Sequence, residues 1–371
     1  MVVGFVLDDT LDVSDGVQQA VLTTGAEMTR RGHDVHYIVA ETITHDDLQT
    51  HSVAQFIKMK FNGNSVRTPK PASKKMIIKL FQKVQFDALY VQMPFSPFLS
   101  GRVVALAPQD VKIFGTFHIL PYSKVSYVGT RMLGIISYAS LKRFDGFFAV
   151  SKPALTFMQS VFKVSGSVLP NPIDYQKYHA QPGTHRSDKK SVVFVGRFDE
   201  RKGALQLVHA ISLLSEKHRK TVSFVMCGKG PLLLQAQSLA QEKSLPIEFP
   251  GFVSDKQKIG YLAVATIAIF PSISGESFGI VLAEAMAAGA GITLGGNNPG
   301  YASVLGQWQD SLLDASDPQL IATRLDHFLS DADARKQIGA EQHEHVKEYN
   351  VKRVVDVLET KYACSLQDKG A

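Results

Sequence analysis

Two stretches of this 371-residue chain bring acids, cations and glycines together at spacings that suit an anionic ligand. Residues 275–289 read Gly-Glu-Ser-Phe-Gly-Ile-Val-Leu-Ala-Glu-Ala-Met-Ala-Ala-Gly. An apolar run ends at Phe270, a Pro/Ser/Gly turn follows, and a helix is predicted to begin near Ser277. The free N–H groups and positive dipole end of such a helix suit a phosphate. Glu276 stands just before the helix. Glu284 lies eight residues on, about 80° round a helix axis, so both carboxylates are expected to face one cleft at different depths. An ordinary Ala-rich packing helix fits the same residues about as well. The second stretch, 195–203, reads Val-Gly-Arg-Phe-Asp-Glu-Arg-Lys-Gly. Gly196 allows a tight turn, and Arg197 and Lys202 could converge on a diphosphate leaving group. Equally, the two cations could pair with Asp199 and Glu200 in a solvated loop.

Positioning such residues requires a scaffold, and its pattern is legible. Residues 2–7 are an apolar run that reads as a buried parallel strand. A polar loop, 8–16, leads to helical spacing over 17–31, closed by Gly32. Further strands are predicted at 34–40, 88–91, 111–115 and 146–150. Pro170, Pro172, Pro182 and Gly183 then mark a connection. A second alternation follows, with strands at 191–195, 222–227, 247–249, 267–270 and 291–294. Strands alternating with helices imply α/β domains on doubly wound parallel sheets. Two such domains would place a ligand in the cleft between them.

Hydrophobic residues make up 45% of the chain and charged ones 20%, which excludes wholesale disorder. No run approaches the roughly 18–20 apolar residues of a membrane span, and no secretory leader is evident, so a soluble or peripheral protein inside the cell is expected. Cys227 and Cys364 are too few for a disulfide framework or a cysteine-rich metal site. The net charge of +6 is localised: segment 48–86 holds Lys58, Lys60, Arg67, Lys70, Lys74, Lys75, Lys79 and Lys83 and no acid. Part of it reads as an amphipathic helix capped at Ser73, with Lys75, Lys79 and Lys83 on one stripe and Met76, Leu80 and Val84 on the next. Lysines in the first turn oppose the helix dipole, and like charges at i, i+4 repel; an anionic partner relieves both. A second acid-free window, 111–144, mixes Tyr122, Lys124, Tyr127, Arg131, Tyr138, Lys142 and Arg143, as at a membrane interface. No nucleic-acid recognition motif accompanies this charge.

Together these segments resemble the retaining glycosyltransferases of family 4. The G-R-x(2–5)-K-G loop and the Glu276–Glu284 spacing match that family's nucleotide-sugar site. So do Cys227-Gly228-Lys229-Gly230-Pro231, the stretch 250–255 and Pro170-Asn171-Pro172-Ile173-Asp174. Asp15-Gly16-Val17-Gln18, the stretch 61–67 and Thr116-Phe117-His118 resemble the phosphatidylinositol mannosyltransferases within it. The likeness implies a GT-B fold of two facing Rossmann-like domains: 1–170 with 350–371 on the acceptor and membrane side, and 171–349 for the nucleotide sugar. It implies that Arg197 and Lys202 hold the donor diphosphate and that Glu276 positions the transferred sugar. His118 would face the reaction centre. Gly16, Lys229, Gly230, Val253, Ser277, Phe278, Gly279, Ile280 and Glu284 would bind the donor, Glu284 through the ribose. Acceptor and membrane contacts would fall to Gln18, Asn62, Arg67, Lys74, Lys75, Lys79, Lys83 and Lys124.

The expected activity is transfer of mannose from GDP-mannose, or a sugar from a UDP donor, to a lipid such as phosphatidylinositol. It would take place at the inner face of the plasma membrane, with no metal and no tightly bound cofactor. A cytosolic transferase for a small sugar or sugar phosphate, and a sugar-nucleotide epimerase, remain as alternatives. The sequence departs from the family in two places. Asp15-Gly16 replaces a glycine pair, which puts a carboxylate near the phosphates, and Pro172 replaces a glycine in the connection.

Overall fold

The structure, a computed structural model, describes the chain except residues 14, 62–63, 122–123, 180–188 and 368–371; at 57–61, 64–69, 124–125 and 366–367 the backbone alone is described. Along the chain lie β1 (Val2–Val6), α1 (Gly16–Arg30), β2 (Asp34–Ala40), β3 (Gln49–Ala54), β4 (Phe56–Phe61), β5 (Asn64–Pro69), α2 (Lys74–Lys83) and β6 (Ala88–Gln92). Then come α3 (Ser100–Leu106), β7 (Lys112–Phe117), α4 (Lys124–Ile136), α5 (Tyr138–Leu141), β8 (Gly146–Ala149), α6 (Lys152–Phe162), β9 (Ser167–Val168) and α7 (Tyr175–His179). A second run holds β10 (Ser191–Val195), α8 (Ala204–Leu213), α9 (Glu216–Thr221), β11 (Ser223–Cys227), α10 (Leu233–Glu242), β12 (Ile247–Gly251), α11 (Asp255–Ala263) and β13 (Ile267–Phe270). It ends with α12 (Ile280–Ala288), β14 (Thr293–Gly296), α13 (Pro299–Leu305), β15 (Leu312–Leu313), α14 (Pro318–Ser330), α15 (Ala332–His345) and α16 (Val351–Gln367). The chain divides into unit 1, Met1–Pro172 with Val351–Ala371, and unit 2, Ile173–Asn350.

Unit 1 is built on a parallel sheet of order β3-β2-β1-β6-β7-β8-β9. Its inner strands are almost wholly apolar because helices cover both faces. On one face Phe5, Tyr37 and Phe114 meet Val21 and Met28 of α1 and Val354, Val355, Leu358 and Tyr362 of α16. Arg31 locks α16 in place, its Nη1 donating to Asp356 at 2.6 Å and Glu359 at 2.7 Å. On the other face Val6, Leu89 and Ile113 meet Ile77, Leu80 and Phe81 of α2 and Val103 and Val104 of α3.

Ser73 caps α2, accepting from the Met76 N–H, and Lys74, Lys75, Lys79 and Lys83 are exposed, as the spacing predicts. The apolar stripe differs from expectation. Ile77, Leu80 and Phe81 face the core, while Met76 is 49% exposed. The register is set by the sheet surface beneath, which takes the wider face centred on Leu80. Strand β3 and the antiparallel hairpin β4–β5 occupy part of the basic segment where no strand is predicted. Their charged, weakly alternating residues give little periodic signal.

Unit 2 has a parallel sheet of order β12-β11-β10-β13-β14-β15. Its core runs from Val192, Phe194, Phe224 and Ile269 out to Leu207 and Ile211 of α8 and Ile321, Leu325 and Phe328 of α14. Strand order reverses between β10 and β13, the switch point where open α/β sheets bind ligands beyond the carboxyl ends of their strands. Helix α12 is buried on nearly every side, so alanines suit it: small side chains let β13, β14 and α11 approach.

Candidate active site

The residues singled out in unit 2 all follow the carboxyl ends of strands. Gly196, Arg197 and Lys202 follow β10, Lys229 and Gly230 follow β11, Val253 follows β12, and Glu276 to Ile280 follow β13. Asp199 caps a short 3-10 turn, Glu200–Lys202, by accepting from the Lys202 N–H at 3.1 Å. That turn delivers the Lys202 ammonium to Glu276, Nζ to Oε1, at 2.6 Å. Ser272 Oγ lies 2.6 Å from the same oxygen. Arg197 is 62% exposed, with Nε 3.4 Å from Asp199. Each cation thus has a carboxylate beside it: Lys202 is held by Glu276, and exposed Arg197 lies beside Asp199.

The helix after Glu276 starts later than expected. Gly279 is its N-cap at φ +102, and α12 begins at Ile280. A side chain at Gly279 would be strained, and its Cβ would meet the Tyr301 ring at 2.6 Å. Ser277, Phe278 and Gly279 therefore form a loop, with Phe278 buried against Tyr349. Glu276 is not on the helix, so the 80° relation to Glu284 does not apply. Beneath the loop, a Cβ at Gly300 would collide with the Glu276 carbonyl. Asn298 secures this contact. Its Oδ1 accepts from the Tyr301 N–H at 3.0 Å and its Nδ2 donates to the Ser272 carbonyl at 2.9 Å. Burial first, and then the charge of Glu276, push the Tyr301 phenol well above its usual pKa. Ser272, Asn298, Gly300 and Tyr301 are absent from the sequence reading. Asn298-Pro299 is an N-cap followed by N1 proline and could have marked α13.

Glu284 is buried, and its Oε1 accepts from Tyr178 Oη at 2.6 Å and Lys258 Nζ at 2.7 Å. Burial alone would lower the Lys258 pKa; the adjacent carboxylate outweighs it, and the net shift is upward. The Tyr178 phenol is raised by burial and then by Glu284, so it stays protonated. Neither Tyr178 nor Lys258 stands out in the sequence. Lys258 lies on α11 behind the Ser254–Gln257 capping box. Nearby, Lys229 Nζ sits 4.7 Å over the ring of exposed Phe252, beside half-buried Val253. At Gly230 the chain passes close to the Phe198 carbonyl.

In unit 1, Gly16 is the first residue of α1, with Asp15 as its N-cap. Gln18 is buried, and its Nε2 donates to Asp9 at 3.1 Å and the Thr10 carbonyl at 3.3 Å. It holds the β1–α1 loop rather than reaching outward. The buried Asp8 carboxylate accepts from the N–H groups of Leu99 and Ser100 and from the hydroxyls of Ser96 and Ser100. His118 follows β7 and is buried, with Nε2 2.7 Å from Gln92 Oε1 at the end of β6. Burial lowers its pKa to about 4; Asn171 opposes the shift without making a bond of normal geometry to Nδ1. The imidazole is thus neutral near pH 7. With Nε2–H donating to Gln92, Nδ1 is a buried acceptor with no partner among the described residues. Asn62 lies outside the described residues. For Arg67, on β5 opposite Lys58, and Lys124, at the start of α4, only the backbone is described.

Comparisons with known proteins bear on both units. Residues 14–177 match the model of "Glycosyltransferase Family 4" and residues 176–345 that of "Glycosyl transferases group 1". A phosphatidyl-myo-inositol mannosyltransferase of Mycolicibacterium smegmatis is 28% identical over 94% of this chain and 90% of its own. One from Mycobacterium tuberculosis is 29% identical over 79% and 77%. Among solved structures, a glycosyltransferase from Rickettsia africae superposes with a TM-score of 0.74 at 17% identity, covering 97% of each chain. HepE of Anabaena in complex with UDP gives 0.76 at 14%, covering 98% of this chain and 100% of that one. Two Rossmann-like parallel-sheet units and the two consecutive domain matches, spanning residues 14–345, make the chain a glycosyltransferase of GT-B fold with a Family 4 domain followed by a group 1 domain.

Proposed function

We propose that this glycosyltransferase moves mannose from GDP-mannose, with retention, onto a membrane lipid of the phosphatidylinositol type. The lipid acceptor and the sugar are supported by the mannosyltransferases that it resembles over most of its length. Transfer chemistry is supported above all by one observation, the Lys202–Glu276–Ser272 cluster at the strand-order switch of unit 2. Lys202 donates one ammonium N–H to Glu276 and has two more to donate to a diphosphate. Arg197, exposed on the same loop, adds a second cation. Lys202 and Ser272 both use Oε1 of Glu276, which leaves Oε2 to accept a sugar hydroxyl. With one oxygen of Glu284 held by Lys258 and Tyr178, the other is suited to the ribose hydroxyls. Gly16, Lys229, Gly230, Val253 and the 277–280 loop complete the donor contacts.

In the reaction the bond from the anomeric carbon to phosphate breaks and one from the acceptor oxygen forms on the same face. The acceptor proton passes to the departing phosphate. Glu276 stabilises the positive charge that develops on the sugar without forming a bond to it, and neutral His118 accepts a sugar hydroxyl at Nδ1. Association with the inner face of the plasma membrane is supported by the exposed lysines of α2, each worth about 1 kcal/mol at an anionic surface.

Incubating the protein with GDP- and UDP-sugars and phosphatidylinositol vesicles tests the reading. A mannosylated lipid from GDP-mannose alone is expected, together with a larger rise in melting temperature from GDP than from UDP. A product formed without acceptor would indicate an epimerase, and a product formed only on a soluble sugar phosphate would remove the lipid.

A further inference from the structure

Helix α4 is inside out. Along it and up to the start of α5, the buried positions are Thr130, Gly134 and Ser137, at 8% exposure or less for the two hydroxyl residues, and the next buried side chain is Leu141 at the end of α5. The outward positions Val128, Met132, Ile135 and Ile136 are 57, 59, 74 and 61% exposed. These four fall at i, i+4, i+7 and i+8, a single apolar stripe. The inversion has a local cause. At Gly134 a Cβ would come within 3.2 Å of the Phe162 ring on α6, and Ser137 Oγ donates to the Phe95 carbonyl at 2.5 Å. At Thr130, Gly134 and Ser137 that seam takes small or hydrogen-bonding residues, and Val128, Met132, Ile135 and Ile136 are turned to the outside.

The rim of the stripe is cationic and aromatic. No Asp or Glu occurs between residues 111 and 144. Arg131 and Lys142 are exposed, and Lys142 Nζ sits 4.5 Å over the Tyr138 ring. Tyr127 and Tyr138 are themselves 41 and 56% exposed. Apolar residues flanked by tyrosine and by cations without acids match the interface of an anionic bilayer. A second copy meeting this face with the same face would set Arg131 and Lys142 against each other with no acid to offset them.

We propose that α4 and the start of α5 lie in the plane of an anionic membrane. Val128, Met132, Ile135 and Ile136 insert among the acyl chains, and the α2 lysines supply only charge. The proposal rests on the membrane part of the reading above and adds the inserting element. α2 fits that part less well, because Ile77, Leu80 and Phe81 are covered by the sheet and of its apolar residues Met76 and Ile78 are left outward.

The test uses the full chain with Ile135→Trp and vesicles of phosphatidylcholine and phosphatidylglycerol, with or without brominated acyl chains. A blue shift and quenching by the brominated lipid are expected. The single native tryptophan, buried Trp308 of unit 2, should stay unquenched in the parent protein. Ile135→Ser with Ile136→Ser should weaken vesicle binding at least roughly ten-fold without lowering the melting temperature. Lys79→Ala with Lys83→Ala should weaken it only at low salt. Vesicle binding without quenching, no vesicle binding at all, or serine variants that bind as the parent does would each overturn insertion. So would loss of self-association, rather than of vesicle binding, in the serine variants. Insertion without any glycolipid product would leave this proposal standing and remove the lipid acceptor; product without insertion would do the reverse.

Discussion

At the carboxyl edge of the unit 2 sheet the polar side chains are charged and already paired, Lys202 with Glu276 and Lys258 with Glu284. At the same edge of the unit 1 sheet the Asp8 carboxylate is held by N–H groups and hydroxyls, Gln18 donates to Asp9 and to its own loop, and the imidazole of His118 bonds Gln92. A folded-in ion pair holds a carboxylate in one place beside its counter-charge, which suits a site that must carry charge through a reaction. A neutral imidazole bonded to a carboxamide sorts hydroxyl donors from acceptors and adds no charge. On the proposed function, the paired edge would meet the diphosphate and the developing charge, and the His118 edge the hydroxyl groups.

The contrast is most sharply tested where a charge has no access to water. Lys258→Met leaves Glu284 buried without its counter-charge and should cost about 3–5 kcal/mol of stability in denaturant melts. Tyr178→Phe removes one neutral donor and should cost only about 1 kcal/mol. Equal losses would mean that the pair owes little to charge.

Next in size, Glu276→Gln keeps the shape of the site. It should lower turnover by roughly 10²–10³-fold with an unchanged melting temperature, read by product formation at saturating donor.

Two histidines of unit 1 make a prediction in pH. His118 is drawn from 6.5 to about 4 by burial, as is His51. The unfolded chain binds a proton near 6.5 that the folded chain refuses until about 4. Stability should therefore be full above that window and fall as pH drops through it, by up to about 3 kcal/mol for buried His118 and by less for half-buried His51. Urea midpoints measured across the window should show a shallower decline for His118→Gln than for the parent.

The smallest effect lies away from both edges. Lys79→Ala, on the exposed face of α2, should weaken vesicle binding by about 1 kcal/mol at low salt and leave stability unaltered.

Much of the scaffold was legible because buried parallel strands are short apolar runs. Strands β2, β10 and β13 occupy the residues expected of them, whereas β14 runs two residues later than its apolar stretch. Glycine punctuation was read less well. Gly279 looks like any small residue in a helix until its positive φ and the ring of Tyr301 are seen. The charged cluster was half legible. Glu276 and Lys202 stand in recognisable motifs, but their pairing crosses 74 positions of chain, and spacing cannot report it. Tyr178 and Lys258 carried no signal, since a tyrosine and a lysine on short helices ordinarily face water. For α4 the residue types suggested an interface, yet only the exposure pattern shows that the apolar side is turned outward.

The return of α16 to unit 1 has a consequence for how the protein is made. Val354, Val355, Leu358 and Tyr362 complete the core formed by Phe5, Tyr37 and Phe114, yet a ribosome makes them after all of unit 2. Unit 2 is continuous in sequence and can close as soon as it has emerged. Unit 1, though begun first, waits with one sheet face bare. Domains usually mature in the order of synthesis; here the half begun earlier should finish later, and the uncovered face is what a chaperone would meet on the nascent chain.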